Sequence, residues 1–337
     1  MKKITIIIPN YNGVRFLGPC LAALKRQTCQ DFQILVVDNG STDQSRQWLK
    51  EHQVPAILLP ENTGFSGAVN AGIRRADTPY VILLNNDTEA EPDYVKELLG
   101  AMERSPRIFS VSPKMIQLHN PALMDDAGDM YSLMGWAYQR GVGQEAGRYS
   151  RPCHIFSACA GAAIYRRALF QEIGLFDEMH FAYLEDIDVG YRAKIAGYYN
   201  RYCPQAVVRH VGSGTSGSRY NSFKVRLAAR NSIYLNYKNM PFPQLAANSL
   251  PILLGMAGKY LYFRKIGFAR DYLAGLWEGI TTARRTKKVP YKPENLVNYL
   301  AIEWELIYGA ALYIYEFTRR QIKKYDSSYC SLGTSEK

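Results

Sequence analysis

The chain has 337 residues, of which 47% are apolar and 21% are charged, and its formal net charge is +11. This length and balance exclude a disordered chain and a small disulfide scaffold, and they allow one large domain or two. The charge is uneven, because residues 1–218 hold 22 basic and 22 acidic residues whereas residues 219–337 hold 19 basic and 8 acidic ones. We therefore expect the last third of the chain to meet a different environment.

The spacing of the cysteines and the lengths of the apolar runs indicate the cellular compartment of the protein. The six cysteines show no Cys-x-x-Cys spacing, which argues against a zinc site or a disulfide framework and favours a reducing compartment. The first apolar stretch is too short for a signal peptide. The longest uncharged run, residues 239–258, contains three prolines and fits a membrane span poorly. These features predict a cytoplasmic protein.

Strand and helix signals alternate over the first 110 residues. Strands are predicted at 4–8, 34–37, 56–59 and 80–84, and helices at 14–27, 41–51, 65–75 and 92–102. The strands are almost wholly apolar, as parallel strands buried on both faces are. This order predicts an α/β fold with a mainly parallel central sheet.

The remainder of the chain divides into an irregular part and a helical part. Residues 111–160 are expected to form insertions and short antiparallel strands. A strand at 160–165, helices at 167–172 and 185–196, and a strand at 206–208 follow. Beyond residue 219 the pattern is helical, aromatic and basic, so residues 219–337 are predicted to form a helical C-terminal region.

Polar residues follow the second predicted strand, where ligands bind in open α/β sheets. Asp38 and Asp43 flank this polar turn. A carboxylate there can accept hydrogen bonds from a pyrimidine imide or a ribose hydroxyl. Asp43 is an equally good cap for the next helix. Asp38 lies closer to the strand end and is the stronger ligand candidate.

Residues 62–72 place glycines at the mouth of a predicted helix. A helix start offers free N–H groups and a positive dipole end to phosphate. The segment lacks the lysine of a P-loop and does not match the Gly-x-Gly-x-x-Gly dinucleotide pattern. A glycine-rich turn is therefore weak evidence when it stands alone.

The fourth predicted strand runs into Asn85-Asn86-Asp87. Mg²⁺ and Mn²⁺ bind through one or two carboxylates together with substrate phosphates. A lone Asp after a strand is more often a turn former. The nearby glycine turn shifts the interpretation towards a metal and diphosphate site.

Acidic residues also begin the predicted helix at 185–196, and a histidine follows the last predicted strand. Glu185, Asp186 and Asp188 complement the helix dipole, and Asp188 is expected to pair with Arg192 at i, i+4. Three acids exceed what capping requires, so one is a candidate general base whose pKa its neighbours raise. His210 enters a Gly/Ser loop that contains Ser216 and Ser218. This position suits a metal ligand or a phosphate contact.

In this order, these segments resemble the inverting GT-A enzymes of glycosyltransferase family 2, in particular the rhamnosyltransferase-like branch of bacterial polysaccharide assembly. The matching segments are residues 6–12, 37–43, 62–72, 84–88, 161–163 and 185–188, together with His210. They span about residues 4–218. The resemblance implies a GT-A catalytic domain over 1–218, with a nucleotide-sugar part at about 1–110 and an acceptor part at about 111–218.

The resemblance also implies roles for single residues. Asp186 would be the base, with Glu185 and Asp188 as alternates, and Asp87 and His210 would hold a divalent cation, Mg²⁺ or Mn²⁺. Residues expected near the nucleotide sugar are Pro9, Asn10, Asn12, Asp38, Asn39, Asp43, Asn62, Gly64, Gly67, Asn70, Asn86 and Asp87. The chain has Asn85 where the first acid of the usual Asp-x-Asp motif often lies. One carboxylate fewer should weaken metal binding.

The implied reaction is inverting transfer of a sugar from dTDP-rhamnose or a UDP-hexose. The implied acceptor is a hydroxyl of a glycan or of a polyprenyl-diphosphate-linked glycan in cell-envelope polysaccharide synthesis. A sugar nucleotidyltransferase is the first alternative, although such an enzyme is expected to have a glycine-rich loop with Arg or Lys at the position of residues 9–13. A non-catalytic nucleotide-binding scaffold is the second, although it would not need the acids Asp38, Asp87 and Asp186.

The C-terminal third interleaves aromatic and basic residues at 259–266 and adds basic clusters at 284–288 and 319–324. Such segments can lie on anionic membrane surfaces. We therefore expect a protein that is peripheral at the inner face of the cell membrane. The alternative is a helical subdomain or an oligomer interface with basic residues facing solvent. Nucleic acid is not expected, because the strand-end acids do not need it.

Overall fold

The computed structural model describes residues 2–212 and 220–332, and the side chains of residues up to 319. The predicted contribution of Ser216 and Ser218, and the basic side chains at 320–324, lie outside the described residues. Among the described residues, no helix is both long and apolar enough to cross a membrane.

The first half of the structure alternates strands and helices. In chain order these are β1 (Ile4–Asn10), α1 (Val14–Lys25), β2 (Phe32–Asn39), α2 (Ser45–Glu51), β3 (Ala56–Leu59), α3 (Gly64–Arg75), β4 (Tyr80–Leu83), β5 (Thr88–Ala90), α4 (Tyr94–Glu103) and β6 (Ile108–Gln117). The apolar strands and the intervening helices therefore form in the predicted order.

Shorter elements and a set of helices follow. They are β7 (Met124–Asp126), β8 (Asp129–Tyr131), β9 (Ala137–Gln139), β10 (Cys153–Ile155), β11 (Ile164–Arg166), α5 (Phe170–Ile173), α6 (Glu185–Ile195), β12 (Tyr199–His210), α7 (Ser222–Asn239), α8 (Phe242–Ala247), α9 (Ser249–Lys265), α10 (Ala269–Thr282) and α11 (Leu296–Leu332). The described part of the C-terminal third is thus helical, as predicted.

The central sheet is mixed but mainly parallel, with strand order β10-β12-β6-β11-β4-β1-β2-β3. Strand β1 runs parallel to β2 and β4, and β6 runs parallel to β12, whereas β11 is antiparallel to both of its neighbours. The α/β prediction is therefore confirmed. Because β1, β2 and β4 are parallel, their carboxyl ends share one edge of the sheet, where Asn10 stands opposite Asp38.

Apolar side chains fill both faces of the sheet. On one face, Leu17 of α1 and Leu98 of α4 pack against the strands. On the other, Val69 and Ile73 of α3 join Phe109 of β6. Burial on both faces explains why the strands read as continuous apolar runs.

The region expected to be irregular contains a central strand. Strand β6 occupies residues 108–117, and β12 is twelve residues long rather than three. Ser110 and Ser112 interrupt the apolar pattern of β6, and both are fully buried; the Ser112 hydroxyl has no hydrogen-bond partner among the described residues. The hydroxyl of Ser110 donates to Asn200 of β12 at 2.7 Å.

The helical region packs directly on the α/β region. A buried cluster joins Tyr131 of β8 and Ile187 of α6 to Leu235, Tyr299 and Leu306 of the C-terminal helices. The two regions therefore share part of one core, while the boundary at residue 218 stays a prediction.

Candidate active site

A chain of hydrogen bonds crosses the carboxyl ends of the central strands. Asn86 donates to Asn10 at 2.7 Å, and Asn10 donates to Asp38 at 3.2 Å. The carboxylate of Asp38 also accepts from the Ser41 amide and from the guanidinium of Arg46, at 3.1 and 2.8 Å. Asp38 is fully buried, so the strand-end residues form one rigid polar network.

Asn12 and Asp43 hold the two loops of this edge together. The side-chain oxygen of Asn12 accepts from the amides of Thr42 and Asp43. Asp43 accepts from the amides of Val14 and Ser45, at the starts of α1 and α2. Although partial burial alone would raise the pKa of Asp43, hydrogen bonds from Ser45 and Val14 lower it. The contacts of Asp43 therefore favour the capping role. Pro9 is part-buried in β1.

The glycine-rich start of α3 is closed by protein groups. Asn62 accepts from the Gly64 amide, and Asn39 donates to Asn62 and to the carbonyl of Gly64. Gly64 has φ +75°, and a Cβ there would lie 2.4 Å from the carbonyl oxygen of Phe181. A Cβ at Gly67 would meet the Thr63 hydroxyl at the same distance. These glycines are needed for close packing, and the N–H groups of Gly64 and Ser66 already donate to Asn62 and to the Phe181 carbonyl.

Asn70 ties α3 to the segment before α6. Its amide group donates to the Phe176 carbonyl and to Glu178, and its oxygen accepts from the Phe176 amide. Asn70 is buried. These three hydrogen bonds are typical of a structural residue. They engage the Asn70 side chain with the segment before α6 and not with the sheet edge that carries Asp38.

Asp87 and His210 meet at the ends of β4 and β12. His210 Nε2 lies 3.3 Å from Asp87 Oδ1, and His210 Nδ1 lies 2.7 Å from Asp125 Oδ2. Although burial alone would lower the pKa of His210, hydrogen bonds to Asp125 and Asp87 raise it to about 10. At neutral pH the ring is therefore an imidazolium held between two carboxylates.

The pair of Asp87 and His210 fits a divalent cation. A carboxylate oxygen and a ring nitrogen converge, and Asp125 fixes the other ring nitrogen as carboxylates do behind metal-bound histidines. Binding a cation through His210 must displace a proton, because only the neutral ring is a ligand. An open cleft of about 380 Å³ adjoins this pair, and its lining includes Arg15, Asn86 and Asp87.

Asp186 lies in the first turn of α6. The helix follows three left-handed residues, Phe181, Tyr183 and Leu184, with φ of 62°, 70° and 67°. Such backbone is costly and persists where surrounding contacts impose it. Asp186 Oδ1 accepts from the Ile187 amide at 2.8 Å, and the Asp186 carbonyl accepts from the hydroxyl of Ser157.

Asp186 has a carboxyl partner that sequence reasoning missed. Asp129, at the start of β8, forms a side-chain hydrogen bond with Asp186. Burial, together with the charges of Asp126 and Asp186, raises the pKa of Asp129 well above its usual range. Burial likewise raises the pKa of Asp186. Asp129 is therefore the protonated partner that donates, and Asp186 is the acceptor.

Asp126 adds a third acid to this cluster. Its two carboxylate oxygens are buried without a hydrogen-bond partner among the described residues. Burial and the charge of Asp125 raise the pKa of Asp126 to about 8. Ligand atoms of Asp126, Asp129 and Cys159 lie within 4.8 Å of one another, which makes them a second candidate cation group. The only sequence signal was three aspartates in the five residues 125–129.

The other two acids of α6 differ from Asp186. Asp188 is fully buried and accepts from Arg192, Lys238 and Asn239 at 2.8 to 2.9 Å. Although burial alone would raise the pKa of Asp188, Arg192 and Lys238 lower it far below its usual range. The predicted pair with Arg192 is confirmed. Burial and the charge of Asp186 raise the pKa of Glu185 well above its usual range.

Of the predicted site residues, the structure brings Asp87, His210 and Asp186 into one region. Asp87 and His210 touch, and Asp125 joins them to the neighbouring cluster of Asp126, Asp129 and Asp186. Asp38 is linked to Asp87 through Asn10 and Asn86. Asp188 and Asn70 are engaged elsewhere.

Solved structures share this fold. A structure of GalNAc-T7 with UDP, GalNAc and Mn²⁺ matches with a TM-score of 0.57 and 16% sequence identity, over 70% of this chain and 48% of that one. At this identity the match shows the fold alone, and the predicted GT-A architecture is confirmed. The divalent cation in that structure belongs to that protein.

Relatives of known name share the sequence pattern. An N-acetylglucosaminyl-diphospho-decaprenol L-rhamnosyltransferase of Mycobacterium tuberculosis is 29% identical over 241 residues, covering 64% of this chain and 78% of that protein. The O-antigen chain rhamnosyltransferase RfbN of Salmonella typhimurium is 27% identical over 227 residues, covering 66% and 70%. The sequence profile of glycosyl transferase family 2 matches residues 5–174. With the strand-end acids in place on a GT-A fold, the chain belongs to glycosyl transferase family 2.

Proposed function

We propose that this glycosyltransferase moves a sugar, with inversion, from a dTDP- or UDP-linked donor to a hydroxyl of a lipid-linked glycan in envelope polysaccharide synthesis. One observation carries the proposal: the Asp87–His210 contact, which suits a divalent cation, is joined through Asp125 and Asp126 to the raised-pKa carboxyl pair Asp129 and Asp186. The names of two relatives support rhamnose as the sugar, and one names a lipid diphosphate acceptor.

The donor side is assigned to the network around Asp38. Its carboxylate has no exposed surface, and its partners are Asn10, the Ser41 amide and the part-exposed Arg46. A nucleoside that bonds to Asp38 must replace one of these partners, and we propose that it replaces Arg46, the part-exposed one. The freed guanidinium is then available to the base or to the diphosphate.

The leaving-group side is assigned to Asp87 and His210. Mg²⁺ or Mn²⁺ held by these two residues would neutralise charge on the departing diphosphate. Asp125 orients the ring of His210 for that purpose. Without a metal ion, the imidazolium form of His210 is itself a cation near the diphosphate, and its Nε2–H can donate to a phosphate oxygen once the contact with Asp87 is released. Because this chain has Asn85 in place of an acid, we expect metal to accelerate transfer without being strictly required.

The acceptor side is assigned to Asp186. Its carboxylate takes the proton of the acceptor hydroxyl as the oxygen bonds to the anomeric carbon, and the bond from that carbon to the diphosphate breaks. A raised pKa makes Asp186 a stronger base than an ordinary carboxylate. A single base with no second nucleophile predicts inversion at the anomeric carbon.

The test is a panel of dTDP-rhamnose and UDP-hexoses with a polyprenyl-diphosphate N-acetylglucosamine acceptor, with and without Mn²⁺. Acceptor-dependent release of nucleoside diphosphate is the expected result. Exchange of pyrophosphate would instead identify a sugar nucleotidyltransferase. Nucleotide binding without any turnover over the whole panel would identify a scaffold, and both of those results would contradict the proposal.

A further inference from the structure

The C-terminal helices carry an apolar surface that faces outward. Twenty of the twenty-one exposed large apolar side chains among the described residues lie between Phe223 and Phe317, and the remaining one is Leu58. Val297, Trp304 and Trp277 are 73%, 72% and 69% exposed. Monomeric proteins rarely expose apolar patches beyond a few hundred square ångströms, and larger ones mark interaction sites.

Helix α11 shows the arrangement most clearly. Its outward positions recur every three or four residues, as one face of a helix does: Val297, Leu300, Trp304, Ile307, Tyr308, Ala311 and Ile314. Every exposed side chain from residue 296 to residue 317 is apolar or aromatic. The inward face holds Tyr299, Ile302 and Leu306, all of which are buried. The helix is therefore apolar on both faces, although packing on the core needs only one.

Helices α9 and α10 continue this surface. Leu250, Leu253 and Leu254 are exposed on α9, and Trp277 and Ile280 are exposed on α10. No exposed side chain between residues 249 and 262 is charged.

The three helices are neighbours. Glu303 of α11 accepts from Asn248, beside the start of α9, at 2.9 Å. Trp136 bridges the same helices, since its ring nitrogen donates to the Gly255 carbonyl and its ring packs on Tyr313. The hydroxyl of Tyr272 in α10 donates to the Met256 carbonyl of α9. The exposed faces thus belong to one layer of connected helices.

The charge of the exposed side chains around these helices indicates which kind of partner suits this layer. Exposed basic residues stand at the helix ends and in the loop after α10: Arg264, Lys265, Arg270, Arg284, Arg285, Lys287, Lys288 and Lys292. The acids of the same region are largely paired inward. Glu278 pairs with Arg226 and Arg230, and Glu305 pairs with Lys194 of α6. The outward charge is therefore strongly positive.

Apolar faces with tryptophan and flanking basic residues suit an anionic bilayer. Leucine and tryptophan enter the boundary between acyl chains and headgroups, and lysine and arginine contact anionic headgroups. A second copy of the chain fits less well, because a two-fold interface would set the same positive region against itself.

The layer also lies close to the proposed acceptor side. The carbonyl of Leu306 in α11 accepts from the Leu133 amide at 2.9 Å, and a Cβ at Gly309 would meet the Tyr131 carbonyl at 2.2 Å. Tyr131 ends β8, and Asp129, the partner of Asp186, begins it. One three-residue strand thus separates the outward helix from the proposed base.

We propose that α9, α10 and α11 form a docking surface for an anionic lipid bilayer and that this surface brings the chain to a membrane-held acceptor. The second half of this statement rests on the proposed function, whereas binding to the bilayer does not.

The test uses co-sedimentation of the full chain with vesicles of phosphatidylcholine alone or mixed with an equal amount of phosphatidylglycerol. We expect at least tenfold tighter binding to the mixed vesicles, because several basic side chains lie beside the proposed docking surface. Trp304→Ser should weaken this binding roughly tenfold or more, because the transfer of a large apolar side chain is lost. Lys287→Gln with Lys288→Gln should weaken it by up to about thirtyfold, and should do so only with anionic lipid.

Leu58→Ser is the matched control, since Leu58 is 54% exposed but lies in the α/β region. It should leave vesicle binding unchanged. Equal binding to both kinds of vesicle, or full binding by Trp304→Ser, would overturn the proposal. A dimer that Trp304→Ser dissociates, without vesicle binding, would assign the layer to a second copy instead. Turnover on a water-soluble acceptor should be the same in Trp304→Ser and in the unsubstituted chain. This separates failure of docking from failure of the proposed reaction.

Discussion

The α/β region and the helical region treat polar and apolar side chains in opposite ways. The α/β region buries carboxylates, including Asp38, Asp126 and Asp129, and among its described residues one large apolar side chain, Leu58, is exposed. In the described part of the helical region most acids are paired or hydrogen-bonded, and twenty large apolar side chains are exposed. Each pattern costs folding free energy, since buried charges and exposed apolar surface are both unfavourable.

This difference matches the two proposed functions, which are catalysis in the α/β region and attachment to a membrane by the helical region. Buried carboxylates with raised pKa values concentrate where strands end, as catalytic groups do. Exposed apolar residues concentrate on the helices beside them. Substitutions of Asp186 and Asp188 test which acids take part in the chemistry, whereas substitutions of His180 and Asp129 test how the surroundings of a buried group set its pKa.

The largest effect is expected from Asp186→Asn. Removing a general base costs roughly a hundredfold to ten-thousandfold in rate, whereas the affinity for the donor nucleotide should change little. The measurements are kcat with the lipid-linked acceptor and nucleotide binding by calorimetry. Turnover close to that of the unsubstituted chain would remove Asp186 from the role of base.

Asp188→Asn should act on stability instead. The substitution leaves Arg192 and Lys238 buried beside a neutral amide, and losing one partner of a buried pair costs about 3–5 kcal/mol. Chemical denaturation should show this loss, while Asp186→Asn, two residues away, should unfold at the same denaturant concentration as the unsubstituted chain or a higher one. Equal stability of the two variants would erase the distinction between these acids.

A pH dependence of stability is expected from His180. Burial lowers the pKa of this histidine to about 4, against an ordinary value near 6.5. The charged groups that act on it are Asp188, Asp177, Lys238 and Arg192. Because the unfolded chain takes up the proton more readily, this group costs the fold stability as pH falls from 6.5 towards 4. His180→Phe should therefore gain on the order of 2 kcal/mol relative to the unsubstituted chain at pH 5, and nothing from this cause at pH 8. A constant difference between the two proteins at both pH values would refute this.

The smallest effect is expected at Asp129. Its hydrogen bond lowers the pKa of Asp186, so Asp129→Leu should move the acid limb of kcat/KM to higher pH. A shift of one pH unit means about a tenfold loss on that limb. Asp129→Asn keeps a donor and should retain the original profile. Identical profiles for the leucine and asparagine variants would count against a donated hydrogen bond.

Sequence reasoning reached the parts of the fold that local pattern determines. Apolar runs located β1 to β4. The order of motifs singled out Asp87 and His210, which are in contact, and Asp186, whose role as base stays a prediction. It missed β6, because Ser110 and Ser112 interrupt the apolar pattern and find their places only inside the sheet.

Most of the contacts in the site that the sequence did not predict join residues that are far apart along the chain. Asp125 contacts His210 and Asp129 contacts Asp186, and these partners lie 85 and 57 residues further along the chain. Residues 125–129 lack a strand or helix pattern of their own that would predict this approach. The roles of Asn70 and Asp188 likewise follow from partners on other elements.

The most direct test of the account is to locate Mn²⁺ by anomalous diffraction in crystals of the chain with dTDP or UDP. The account predicts a peak bonded to Asp87 and His210, with the diphosphate beside it in the adjoining cleft. A peak at Asp126, Asp129 and Cys159, with the nucleotide away from Asp87, would contradict it.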